Sequence, residues 1–138
     1  MGDSADHELS PARPGGVVFR AGEALFFLPA SIAMKVSPIP EMARVPGGPL
    51  ELRGVALVGG AMIPVVDVVE GPGVAPSGAM LVCAVLGESV GLVGIDVVAT
   101  GRFDPGERPG EVKHDGETAR TFDVAAVIAR VREGRWAV

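Results

Sequence analysis

The residues able to do chemistry in this 138-residue chain are few and scattered. It holds two histidines, His7 and His114, separated by most of the chain, so neither has an obvious second ligand or an acid to orient it. Cys83 is the sole cysteine and lies inside the apolar run 80–86, where burial would raise its pKa and hide it. That context favours a small core residue over a thiolate nucleophile. Asp67 and Asp96 each sit among valines near strand ends. Together they would be a carboxylate pair for acid–base work, and singly each closes a turn, the reading the context favours. Gly71, Gly73 and Gly78 match no phosphate-loop spacing, and Pro72 and Pro76 remove N–H donors that such a loop needs. Trp136 fits two roles equally, an interface anchor or an aromatic packing the end of the chain onto the core. No tyrosine is present and aromatics make up 4% of the chain, too few for a platform that stacks bases or sugars. The expectation is a non-enzymatic protein with no cofactor and no metal, and binding to protein surfaces is the chemistry left.

Composition narrows this further. Hydrophobic residues at 48% and charged residues at 21% describe a packed globular chain of one domain's length. Twelve Lys and Arg against seventeen Asp and Glu give a net charge of −5, the wrong sign for neutralising phosphates, so nucleic acid is not expected as a partner. A single cysteine allows no intramolecular disulfide, which fits a reducing cytoplasm. The N-terminus is polar and no apolar run approaches the roughly 18 residues of a membrane span, so a soluble protein without membrane insertion is expected.

The elements that would carry a binding surface follow from twenty glycines and twelve prolines, which cut the chain into short runs rich in Val and Leu. Residues 1–15 have little to bury and are expected to be a disordered tail, with one domain over 16–138. Runs 17–20 and 24–28 form a first hairpin around Gly22, and 32–36 a third strand before a proline-rich path without a helix. Runs 54–58 and 62–69 pair around Gly59 and Gly60, and runs 80–86 and 90–99 around a turn at 87–89. Residues 101–116 are charged and rich in Gly and Pro and are expected to be a loop, with 111–113 able to form an edge; 118–122 makes the last strand. Asp123 then stands as an N-cap before Val124, Val127, Ile128 and Val131, an apolar stripe at i, i+3, i+4 and i+7. Arg130 and Arg132 suit the negative end of that helix, and Gly134 can cap it.

The stretch 28–68, LPASIAMKVSPIPEMARVPGGPLELRGVALVGGAMIPVVDV, resembles the middle of the CheW-like family. Val36, Pro46, Gly54, Val55, Gly60, Ile63, Pro64, Val65, Val66 and Asp67 fall in register with the family's pattern G-V-I-N-L-R-G-x-V-I-P-V-V-D-L and the residues before it. Weaker agreement in VVFRAGEALFFLP, SVGLVGIDVV and FDVAAVIARV extends the likeness over nearly everything after the tail. The resemblance implies an all-β fold of two small SH3-like barrels side by side with a short C-terminal helix. It also implies an adaptor that binds the cytoplasmic domain of a methyl-accepting chemoreceptor and the regulatory domain of a CheA-type histidine kinase. The partner surface it implies is Lys35, Val36, Leu57, Val58, Gly59, Gly60, Met62 and Ile63.

Two departures stand out. The family's acidic position before Val36 is Lys35 here, and the arginine of its R-G pair is Gly59. If those side chains pair in other members, an arginine facing Lys35 would set like charges together, and losing both avoids that. An interface that used the arginine's five donors is then weakened, so kinase binding is expected to be reduced or lost. The interval 103–118 is also shorter than usual and reads as trimmed of a strand. Two other readings compete: an SH3-like peptide-binding module outside chemotaxis, and a small enzyme using Asp67, Asp96 or His114 in a cleft.

Overall fold

A computed structural model describes residues 13–43, 52–68 and 78–133 of the chain. Within them lie β1 (Gly15–Ala21), β2 (Ala24–Pro29), β3 (Ala33–Pro38), β4 (Leu52–Val58), β5 (Ala61–Asp67), β6 (Ala79–Val85) and β7 (Glu88–Arg102). These are followed by β8 (Asp104–Pro105), β9 (Glu111–His114), β10 (Glu117–Thr121) and one helix, α1 (Val124–Glu133). His7, Pro46, Pro49, Gly71, Gly73, Pro72, Pro76, Gly134 and Trp136, with the expectations placed on them, lie outside the described residues.

β7 organises the molecule, because its two halves belong to different rows of strands. Its second half pairs antiparallel with β1 from Asp96 to Arg102, in the row β7–β1–β2–β10–β9–β8. Phe103 alone separates β7 from β8, so the chain itself joins the two ends of that row. Its first half pairs antiparallel with β6 and parallel with β5, in the row β3–β6–β7–β5–β4. The ends of this second row meet through Ala43 and Val55, whose N–H groups donate to each other's carbonyls at 2.9 Å. The architecture is two small SH3-like barrels side by side with one short C-terminal helix.

Three apolar clusters follow from strand alternation. Val18, Leu25, Phe27, Phe103, Val112 and Ala119 fill the first barrel. Ala56, Ile63, Val65, Met80, Val82 and Val93 fill the second. Alternate residues of the same strands, Val17, Phe19, Leu28, Val66, Leu81, Cys83 and Leu92, point the other way into a shared core between the barrels. Both faces of these strands are therefore buried, which is why 80–85 reads as an unbroken apolar run. α1 seals the shared core with Val124, Val127 and Val131, while Ile128 packs at its margin. The Ala126 N–H donates to Asp123 Oδ1 at 3.0 Å, the N-cap expected from the sequence.

One expectation is corrected and one is met. The interval 101–116 is not a loop throughout: β7 runs on to Arg102, and β8 and β9 pair within it. The edge expected at 111–113 lies within β9, which pairs antiparallel with β10 in the first barrel. Periodicity missed these strands because Val112 is the one buried hydrophobic that β9 contributes. Their stability comes from backbone pairing at an edge, which leaves little pattern in the side chains.

Candidate functional site

Among the described residues, Asp67, Asp96, His114 and Cys83 each sit in surroundings of their own. Asp67, expected to close the turn after its strand, lies mostly buried with its Oδ2 3.4 Å from Arg53 Nε. Arg53 is the extra residue where the β4–β5 register shifts between Leu52 and Gly54, so the bulge aims it at the end of β5. Asp96 is exposed on β7 in register with Arg20 of β1. His114 lies edge-on to Phe103 with ring centroids 5.9 Å apart, and its Nε2 is 3.5 Å from Asp115 Oδ2. Cys83 is buried in the shared core, and desolvation pushes its thiol from 9.0 to about 12, so it is neutral at physiological pH. Among the described residues no group of three or more His, Cys, Asp or Glu could hold a metal ion. No helix among them is long and apolar enough to cross a membrane.

What the fold does present is an apolar surface on the second barrel. In the β4–β5 hairpin the facing pairs alternate in and out: Ala56 and Ile63 point into the barrel, and Leu57 and Met62 point to solvent. Leu57 is 67% exposed and Met62 60%, side by side on neighbouring strands. Gly59 and Gly60 form the turn between them with φ of 57° and 85°, a geometry L side chains rarely adopt, and no atom approaches where a Cβ would project. Val58 is half-buried toward the barrel core. Lys35 and Val36 are exposed on β3 together with Met34. Ile63, expected in the same surface, is 4% exposed and packs inside the barrel, so it cannot touch a partner. Its neighbour Met62 faces out because successive strand residues point to opposite faces.

The structure adds a residue to this surface. Leu86, expected to end a strand, is the first central residue of the turn joining β6 to β7 and is 97% exposed. β5 and β7 run parallel, with Val65 opposite Gly91. The turns that precede them, Gly59–Gly60 and Leu86–Gly87, therefore emerge at the same end of the barrel on adjacent hairpins. Leu57, Met62 and Leu86 are all exposed at or beside those turns. Sequence reading missed Leu86 because a leucine closing an apolar run looks like the last core residue of a strand, and only the Val85–Glu88 pairing shows that it has left the strand.

The described residues thus form a double barrel with solvent-facing apolar side chains at one end. A family model described as a CheW-like domain matches residues 15–106. The chain belongs to the CheW-like domain family, a family of chemotaxis adaptors. Among solved structures it is similar to the scaffolding protein TtCheW from Thermoanaerobacter tengcongensis, at 22% identity and a TM-score of 0.63 over 82% of this chain and 86% of that one, which shows the shared fold. No curated protein matches the chain.

Proposed function

We propose that this chain is a non-enzymatic cytoplasmic adaptor in a chemosensory complex. It engages the cytoplasmic domain of a methyl-accepting chemoreceptor and binds the regulatory domain of a CheA-type kinase weakly or not at all. The observation that carries this reading is the solvent-facing Leu57–Met62 pair beside an open glycine turn, an apolar surface that nothing in the described part of the chain covers. Lys35 and Val36 extend the surface on β3, and Val58, Gly59 and Gly60 shape its rim. The weakened kinase contact rests on the two departures from the family pattern. Lys35 stands exposed at the acidic position, and Gly59 offers no side chain where the family has an arginine.

The test is binding measured against each partner separately, with a purified receptor cytoplasmic fragment and a purified kinase regulatory domain. The expected result is receptor binding that falls at least about tenfold in Met62→Asp, the scale of losing one well-packed contact of 1.4 kcal/mol or more. Receptor binding untouched by Leu57→Asp and Met62→Asp would remove these residues from the interface. Kinase binding as tight as receptor binding would overturn the second half of the proposal.

A further inference from the structure

Sulfur divides by burial among the described residues. Met80 is 1% exposed in the core of the second barrel, and Cys83 is buried in the shared core. Burial pushes the Cys83 thiol up to about 12, so at physiological pH it is not the thiolate that a peroxide oxidises. Met42 is half-buried against the second barrel. Met34 and Met62 are the opposite case, 59% and 60% exposed. A thioether sulfur needs no deprotonation to react, so access to the oxidant decides which methionine is oxidised.

Strand directions bring these two residues to one place. β3 and β7 both run antiparallel to β6, and β5 runs parallel to β7, so β3, β5 and β7 all start from the same end of the second barrel. Met34 is the second residue of β3, and Met62 the second of β5. Met34 is the extra residue where the β3–β6 register shifts between Ala33 and Lys35, and Met62 stands opposite exposed Leu57 in the β4–β5 hairpin. The apolar character of this end therefore rests in part on two thioethers. One added oxygen gives each a strong hydrogen-bond acceptor, which a partner can bury only at a cost.

We propose that Met34 and Met62 form a peroxide-sensitive pair whose oxidation to sulfoxide lowers the affinity of this surface for the receptor. The inference rests on the adaptor reading and names a regulation of the same surface. In the step, each thioether sulfur takes one oxygen atom from hydrogen peroxide. An S–O bond forms as the O–O bond breaks, the sulfur is oxidised by two electrons, and the peroxide leaves as water. Both residues are exposed, so the fold is retained, and methionine sulfoxide reductases with a dithiol as reductant reverse the change.

The test treats the purified full chain with hydrogen peroxide, maps the added oxygen by peptide mass spectrometry and titrates the receptor cytoplasmic fragment before and after. Met34 and Met62 should gain oxygen well before Met80, with an unchanged far-UV circular dichroism spectrum. Binding to the fragment should fall at least about tenfold, and the reductases should restore it. The double variant Met34→Leu/Met62→Leu, compared with itself before and after the same treatment, should change by less than about twofold. Oxidation of Met34 and Met62 no faster than that of Met80 would overturn the proposal. So would full oxidation of both with binding unchanged, or an equal loss in the double variant, which assigns the effect to another residue. Those outcomes leave the adaptor reading standing, whereas untreated protein that does not bind the fragment removes both.

Discussion

Met62 and Ile63 are chain neighbours with opposite consequences on substitution. Ile63→Ala empties space inside the second barrel and should cost about 2–4 kcal/mol in denaturant unfolding, within the range for buried aliphatics. Met62→Asp changes an exposed strand position and should move stability by no more than about 0.5 kcal/mol while weakening the proposed receptor binding at least about tenfold. The contrast separates a folding role from a binding role at adjacent residues. Cys83 makes a different prediction. Its folded pKa, about 12, lies above the 9.0 of the unfolded thiol, so the folded state holds the proton more tightly. This contribution is fully present below pH 9 and is lost as pH rises toward 12, with a slope from this group of about 1.4 kcal/mol per pH unit. Cys83→Ala should flatten that alkaline limb of the unfolding profile. A thiol reagent at pH 8 should modify Cys83 in the wild type only as fast as the protein opens, and at once in denaturant.

At the scale of elements, α1 and the closure of the second barrel rest on small features. Asp123→Ala removes the carboxylate that accepts the Ala126 N–H and should cost about 1 kcal/mol, read as a lower thermal midpoint. Gly54 is demanding for a different reason: a Cβ there would lie 2.6 Å from the carbonyl oxygen of Ala43. Ala43 makes the backbone pair with Val55 that joins the ends of the β3–β4 row. Gly54→Ala should therefore separate Ala43 from Val55, and the measurement is amide exchange, with the Ala43 and Val55 amides losing protection before those of β6 and β7. The family pattern places a glycine at this position, and the close approach of the 39–43 segment is the physical demand it answers.

For the molecule as a whole, the shared core means that neither barrel is an independent unit. β7 lends strand pairing to both, and Phe19, Leu28, Leu81 and Leu92 each have one side of their strand in a barrel and the other between them. Unfolding should be a single transition, with probes in the first barrel and in the second coinciding, and Leu92→Ala should lower both together. Two separated transitions would show that the barrels fold alone.

By itself, the sequence determined the class of fold, the hairpins around Gly22 and around Gly59–Gly60, and the capped terminal helix. Each of these is local: a turn residue, a cap or a period of two or 3.6 leaves its mark within a few positions. Tertiary structure decided how the buried positions divide among three cores, since a strand buried on both faces has no alternation to read. It decided that 101–116 builds the edge of the first barrel, because backbone pairing needs no particular side chains. It also placed Ile63 inside the second barrel and Leu86 in solvent, since which face of a strand meets water, and which turns share one end of a barrel, depend on pairings between residues far apart in the chain.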